Sequence, residues 1–206
     1  TLDGGGGSDL VDYSGAAGTP TGDLGVLFTY NGGAGAGGDF GSGGLTYTLE
    51  FFRSGSNFTD PFAIPDFRLM IYDVDGEPTQ DEAVAAFADD GVVGYQLFNN
   101  SEIAVVDSGD GYHLFNAPGI TRDEADPRTA LILGYHNTNS IRLQVIANTK
   151  SNSAANNGVF IAIDGDLSSL APGTLAAPVY LVPEPSSAAL LLLTMAGLTL
   201  RRKRTA

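Results

Sequence analysis

The chain has 206 residues, of which 43% are hydrophobic, 9% aromatic and 17% charged, and this composition favours a folded domain over a wholly disordered chain. Its 24 acidic residues outnumber its 10 basic ones, for a net charge of -14. A body this acidic repels phosphate backbones, which argues against nucleic acid as a partner. Because the sequence has no cysteine, disulfides, thiol nucleophiles and thiolate metal sites are excluded.

The first part of the chain, residues 1–44, is rich in glycine, and ordering glycine has a high entropic cost. We therefore expect long loops around a few strands there, with one strand contributed to the β-domain by the apolar segment 24–30. The chain begins at Thr1 without the basic-then-apolar pattern of a signal peptide. We expect an export signal to have been removed or to lie outside this sequence.

From residue 45 onward the apolar residues recur with a period of two. Since successive side chains of a strand point to opposite faces, this spacing predicts half-buried strands. Turn-forming pairs such as Asp75-Gly76 and Asp110-Gly111 separate the segments. Many short strands with turns between them predict an antiparallel β-sandwich of jelly-roll type over residues 45–170. The clearest alternations are Tyr47, Leu49 and Phe51; Phe67, Leu69 and Ile71; and Ile141, Leu143 and Val145.

One segment of this domain has a helical composition. Residues 81–90 read DEAVAAFADD, with alanines in the middle and acidic residues in the first turn, where they complement the helix dipole. The sequence therefore predicts one short helix in an otherwise all-β domain. After it the domain continues to residue 170, and the Pro, Gly and Ala content of residues 171–181 predicts a linker.

The C-terminal tail, residues 182–206, has three adjacent parts. Prolines at 183 and 185 bracket Glu184, and an uncharged apolar stretch follows over 188–200. As a helix, residues 186–200 span about 22 Å, less than the roughly 30 Å of a bilayer core. This suits a temporary membrane anchor, with the basic end on the cytoplasmic side and the body outside the inner membrane. The basic stop consists of Arg201, Arg202, Lys203 and Arg204.

This tail resembles the PEP-CTERM sorting signal of Gram-negative bacteria, in which a Pro-Glu-Pro motif precedes a hydrophobic helix and an Arg-rich end. The resemblance covers residues 182–204 and implies that an exosortase-type processing enzyme recognises Pro183, Glu184 and Pro185 and cleaves near them. It also implies an inner-membrane precursor, then a cell-surface or extracellular location, with exopolysaccharide as a candidate partner. The body has a fainter similarity to the β-rich domains that precede such tails, which carries no function over.

The strongest candidate site in the body is an acidic cluster after a predicted strand. Asp73, Asp75 and Glu77 alternate along the chain and could supply the oxygen ligands that Ca²⁺ prefers. The segment is not an EF-hand loop, because its glycine stands fourth and Val84 occupies the twelfth position. The alternative interpretation is a solvated strand-to-helix turn. His113 and His136, the only histidines, lie in predicted strands without a zinc-binding motif.

Three functions remain open. The tail and the acidic body favour a structural or interaction protein of the cell surface or biofilm matrix, with no catalytic residue and no required cofactor. A carbohydrate-binding module would need exposed aromatic side chains, whereas aromatic residues in strands usually pack a core. A secreted hydrolase would need two carboxyl groups facing each other across a cleft, at least one with a raised pKa. The aromatic candidates are Tyr95, Tyr112, Phe115 and Tyr135.

Overall fold

A computed structural model of the chain describes residues 8–12, 24–30, 42–107, 111–117, 119–123, 126–150, 157–164 and 173–181. These residues form strands and two 3-10 turns, Ala88–Asp90 and Pro127–Thr129. The strands are β1 (Ser8–Asp12), β2 (Leu24–Tyr30), β3 (Ser42–Glu50), β4 (Ile64–Tyr72), β5 (Gln80–Phe87), β6 (Val92–Leu97), β7 (Ala104–Asp107), β8 (Tyr112–Asn116), β9 (Leu131–Thr138), β10 (Ser140–Thr149), β11 (Asn157–Asp164) and β12 (Val179–Tyr180).

The strands form two antiparallel sheets. One has seven strands in the order β1-β2-β11-β4-β9-β6-β12, and the other has five in the order β3-β10-β5-β8-β7. From β2 to β5, and again from β8 to β11, each strand lies in the sheet opposite to its predecessor. This alternation is the connectivity of an eight-stranded jelly roll, to which β1, β6, β7 and β12 are added. The predicted antiparallel β-sandwich is confirmed.

The core lies between the two sheets and is built from the predicted alternating residues. Ile71 is 1% exposed and Ile141 is fully buried, while Leu49 and Phe67 pack against the same cluster from the edges. Their neighbours Thr48 and Arg68 point outward and are exposed. Removing this apolar surface from water is the main favourable contribution to folding. The fully buried aromatic and aliphatic side chains between the sheets include Phe115, Leu131, Leu133, Tyr135 and Leu143.

The predicted short helix over residues 81–90 is wrong. Most of the segment is strand β5, which pairs with β10 on one side and β8 on the other, and only Ala88–Asp90 form a 3-10 turn. The small side chains of Ala83 and Ala85 are buried on one face of this strand, and Val84 is buried on the other. Pairing with two neighbours and burial on both faces outweigh the modest helix preference of alanine.

Residues 173–181 differ from the expected linker, because they are hydrogen-bonded to the edge of the seven-stranded sheet. The backbone N–H of Ala176 donates to Leu97 at 2.9 Å, and that of Leu181 donates to Val93 at 2.9 Å. Leu175 packs on a small second cluster that lies apart from the main core. The polar backbone of this stretch is therefore satisfied by the sheet instead of by water. That second cluster contains Met70, Tyr72, Phe98, Ala130 and Ile132.

Part of the predicted organisation lies outside the described residues. This holds for most of the glycine-rich region 1–44, for residues 165–172, and for the tail 182–206 with its predicted apolar helix and basic stop. Within the ranges that the structure does describe, no helix has the length and apolar character needed to cross a membrane.

The hydroxyl group of Tyr135 is buried in the core without a hydrogen-bond partner among the described residues. Its ring stacks on Phe67 with 5.1 Å between centroids, and burial raises the pKa of the hydroxyl far above its ordinary value. A buried donor without a partner destabilises the fold, so we expect Tyr135→Phe to keep or raise the free energy of unfolding, by up to about 1 kcal/mol. Urea unfolding of both proteins measures the change; a loss of more than 1 kcal/mol would contradict this description of the core.

Candidate functional site

The acidic cluster predicted from the sequence lies in the loop between β4 and β5, at one end of the sandwich. We call residues 73–77 the carboxylate loop. Asp73 is 9% exposed and Asp75 is 8% exposed, so the interpretation as a solvated turn does not hold for these two side chains. The loop also joins two strands, not a strand and a helix. Glu77 lies nearer the surface, and its Oε1 accepts a hydrogen bond of 2.7 Å from the Thr79 hydroxyl.

The backbone of the carboxylate loop is fixed by two other segments of the chain. The N–H of Val74 donates to the carbonyl of Thr129 at 3.0 Å, and the carbonyl of Asp75 accepts from the N–H of Gly119 at 3.0 Å. The Asp75 carboxylate also accepts a short hydrogen bond from the backbone N–H of Arg122. Asp73 itself adopts a left-handed backbone conformation, with a φ of 65°, which Asp and Asn tolerate better than most other residues. These hydrogen bonds therefore hold the backbone of the carboxylate loop in one conformation.

A fourth carboxyl group, that of Glu82 on β5, interacts with the same cluster. The sequence places Glu82 near the cluster along the chain but does not single it out as a candidate ligand. Glu82 is 5% exposed, and its Oε2 has no hydrogen-bond partner among the described residues. Burial raises the pKa of Glu82 well above its ordinary value, and the negative charges of Asp75 and Asp73 raise it further. A hydrogen bond from Gln80 opposes this shift. The residue was placed in the exposed first turn of the incorrectly predicted helix, which hid its role.

The cations near this cluster are already engaged with other carboxylates. Arg122 lies close enough to lower the pKa of Asp75, yet burial dominates and that pKa is still raised. The Arg122 guanidinium binds both oxygens of Glu102, at 2.6 and 2.9 Å. Lys150 forms an ion pair with Asp81. As the described side chains stand, no three carboxylates or imidazoles come together closely enough to hold a metal ion.

The raised pKa of Glu82 predicts a pH dependence of stability. Its folded pKa exceeds its unfolded pKa, so the folded state binds more protons, and stability falls as pH rises above the unfolded pKa of a glutamate. The negative charges of Asp75, Asp73 and Glu77 act on this group. We expect Glu82→Gln to make the slope of melting temperature against pH less negative than in the wild type. Equal slopes for the two proteins would contradict the assignment of this slope to Glu82.

A second feature is a groove of about 340 Å³ along strands β4, β6, β9 and β12 of the seven-stranded sheet, which we call the outer groove. Gly94 and Gly134, which are paired in the sheet, leave space at the floor of this groove because they have no side chains. A Cβ atom at residue 94 would lie 2.6 Å from the Val179 carbonyl, so this glycine also permits β12 to dock. The side chains along its walls include Asp66, Arg68, Val93, Gln96 and Tyr180.

The groove brings together an exposed aromatic ring, that of Tyr180, and a cation, Arg68. Tyr180 lies on the edge strand β12 and is 76% exposed. Arg68 is exposed and forms no ion pair or hydrogen bond with the other described residues, whereas every other arginine of the body and Lys150 is paired with a carboxylate. Asp66 beside it is bound by Nδ1 of His136 at 2.8 Å. Sequence reasoning missed Tyr180 because it lies in the predicted linker.

The rings of the aromatic residues chosen from the sequence pack in the core or against other aromatic rings. Phe115 and Tyr135 are core residues, and Tyr95 packs edge-on against Phe115 with 5.3 Å between ring centroids. Tyr112 is half-buried and packs beside Phe87. The two histidines lie on different sheets, since His113 is on β8 and His136 on β9.

The predicted sorting residues Pro183, Glu184 and Pro185 and the basic stop from Arg201 to Arg204 lie outside the described residues. The last described residue, Leu181, precedes Pro183 by two positions and is bonded to the sheet edge. No family model matches the chain, and neither curated proteins nor solved structures give a match to it.

Proposed function

We propose that this chain is an exported protein of the cell surface or extracellular matrix, sorted through its C-terminal tail, and that its β-sandwich is a structural or interaction module and not an enzyme. The observation that carries the proposal is the three-part tail: a Pro-Glu-Pro motif, an apolar stretch and a basic end, in that order. A basic cluster after an apolar segment is retained on the cytoplasmic side, which directs the acidic body outward.

The position of the motif relative to the fold supports this proposal. Because β12 ends at Tyr180 and Leu181 still bonds to Val93, cleavage near Pro183 would remove the tail without cutting any described strand. After cleavage the sandwich would keep β12 as its edge strand, and it would be released from the inner membrane as a folded domain. Its partners in this proposal are an exosortase-type enzyme and the inner membrane during sorting, and afterwards the exopolysaccharide of the matrix.

The proposal is tested by replacing the motif in an exosortase-bearing host. Pro183→Ala, Glu184→Ala and Pro185→Ala are combined in one variant, and Ser186→Ala with Ser187→Ala is the control next to the motif. We expect the motif variant to accumulate as a full-length membrane form while the control is shortened and released like the wild type. Cell fractionation with immunoblotting measures both. A motif variant that reaches the surface in shortened form would refute the sorting function.

Carbohydrate binding is the second candidate function, and the outer groove is the observation that favours it. An exposed tyrosine ring can stack on a sugar face. The guanidinium of Arg68 has no ion-pair partner among the described residues and can bind a sugar carboxylate in two-point geometry. Gln96 lies in the same groove and is held in place by a hydrogen bond of 2.7 Å to the Ala176 carbonyl. The Arg68 guanidinium offers an acidic polysaccharide such as a polyuronate a local partner that a neutral polysaccharide does not need, whereas the net charge of -14 opposes the approach of a polyanion to the body.

Affinity electrophoresis in gels containing a polyuronate or a neutral glucan tests this second candidate. We expect the polyuronate to retard the wild type, and Tyr180→Ala and Arg68→Gln each to weaken the retardation about tenfold or more. Phe58→Ala is the matched control, because Phe58 is 80% exposed and lies outside the groove. Equal retardation of all variants would exclude the groove as the binding site.

A carboxylate-dependent hydrolase has less support from the described residues. The carboxyl groups with raised pKa values are Asp75 and Glu82, and both are nearly buried. Neither lines the outer groove. A polymer substrate needs an accessible acid and an accessible base, so this pair is better suited to a role inside the fold.

A further inference from the structure

The connection between β3 and β4 carries exposed aromatic side chains, and we call residues 51–63 the aromatic loop. Phe58 is 80% exposed, the largest exposed fraction of any large hydrophobic side chain among the described residues, and Phe62 is 37% exposed. The guanidinium of Arg53 lies over the Phe62 ring, 4.9 Å from its centroid. Exposed apolar side chains grouped in one loop mark a contact site on a protein surface.

The aromatic loop has a defined structure that holds Phe58 outward. The backbone N–H of Arg53 donates to the carbonyl of Asp60 at 2.9 Å, which ties the two sides of the loop together. The Phe58 ring meets Phe52 edge-on, with 5.7 Å between centroids. Phe58 has a φ of 61°, a left-handed conformation that is rare for a bulky residue. Strain of this kind is concentrated at positions with a function.

The aromatic loop has no net charge, in contrast to the chain as a whole. Its only charged residues are Arg53 and Asp60, whose side chains form an ion pair of 2.9 Å with each other. The complete chain has a net charge of -14, which opposes contact with anionic head groups. The loop is therefore a place where this acidic protein can approach a lipid surface without strong repulsion.

The C-terminal tail leaves the sandwich at the end where the aromatic loop lies. Leu181 is hydrogen-bonded to Val93 near the start of β6, and β6 begins beside the last residues of β9. Strand β4 also begins beside the end of β9, since Ile64 pairs with Thr138. The aromatic loop directly precedes Ile64 in the chain. The loop and the start of the tail are thus on the same end of the two sheets.

We propose that the aromatic loop inserts Phe58 and Phe62 into the membrane interface while the tail anchors the precursor, an inference that rests on the proposed sorting function. Six residues, 182–187, separate Leu181 from the apolar stretch of the tail, and this connection spans at most about 25 Å when fully extended. This end of the sandwich is therefore held close to the bilayer. Aromatic rings and arginine suit the boundary between head groups and acyl chains.

A single tryptophan in the full-length chain tests the proposal, because the sequence contains no other. Phe58→Trp and Phe62→Trp report on the loop. Ile120→Trp is the matched control, since Ile120 is 46% exposed and follows Gly119, which bonds to the carboxylate loop at the opposite end of the sandwich. Each protein is reconstituted into phosphatidylcholine vesicles with brominated acyl chains and floated on a density gradient. We expect all three to float, with blue-shifted emission and about threefold or more quenching for the loop reporters only.

The outcomes separate this inference from the proposed function. Flotation with equal quenching of the three reporters would overturn the membrane contact of the aromatic loop and leave the anchoring tail in place. Failure of the proteins to float would overturn the anchor and this inference together. A blue shift of the loop reporters without quenching by the brominated lipid would also overturn the inference, because the rings would then be covered by a second copy of the chain.

Discussion

Gly76→Ala is expected to lower the free energy of unfolding by about 3 kcal/mol or more, which is a large part of the stability of a typical domain. Gly76 has a φ of 76°, where a side chain is strained. A Cβ atom there would lie 2.5 Å from the carbonyl oxygen of Gln80 and 3.1 Å from the backbone nitrogen of Glu82. Both contacts are with backbone, so the carboxylate loop must move to relieve them.

Gly55→Ala separates the two causes of this loss. Gly55 has nearly the same φ, 79°, but nothing lies within 4 Å of its added Cβ. This control should therefore show only the conformational part of the penalty, about 1–2 kcal/mol. Urea unfolding of both variants measures the difference. If the two substitutions are equally costly, the close packing of the carboxylate loop against β5 is contradicted.

Phe115→Ala is expected to destabilise the sandwich by about 3–5 kcal/mol, because it leaves a cavity between the two sheets. Phe115 is fully buried on β8, and its ring meets Tyr95 of the opposite sheet edge-on at 5.3 Å. The substitution removes both the buried surface and this aromatic contact. Chemical denaturation at constant pH measures the loss of stability.

Phe58→Ala is the matched aromatic control. Phe58 is 80% exposed and contacts Phe52 edge-on at 5.7 Å. Its truncation should change the free energy of unfolding by about 0.5 kcal/mol or less. A similar loss in both variants would mean that Phe115 does not fill the space between the sheets, and the assignment of strand aromatics to the core would fail.

The sequence predicted the architecture well where a strand buries one face. On β3, on β10 and on the first half of β4 the alternation of apolar and polar residues matches the observed burial, because successive side chains of a strand point to opposite faces. At the end of β4 both faces are buried, since Met70 and Tyr72 belong to the second cluster. Strand β5 could not be recognised in this way because both of its faces are buried, and its alanines favour a helix when taken alone. Residues 173–181 show no alternation of apolar and polar residues that would predict a strand. Part of this segment pairs with β6 because β6 would otherwise leave an edge of the sheet without a partner strand.

The candidate site was predicted in part. Asp73, Asp75 and Glu77 could be chosen from their spacing, but their burial could not, because it depends on the loops that carry Gly119 and Thr129. Glu82 is close to them along the chain, but its burial follows only once β5 is known to be a strand. The outer groove depends on the pairing of Gly94 with Gly134, which are 40 positions apart in the sequence and adjacent only in the sheet.

The central claim is that the tail is a removable sorting signal, and the C-terminal peptide of the surface form tests it most directly. The surface form from an exosortase-bearing host is digested and its last peptide is identified by mass spectrometry. We expect a C-terminus between Leu181 and Pro185, with β12 retained and the apolar stretch 188–200 removed. A surface form that still contains residues 188–200 would contradict the claim.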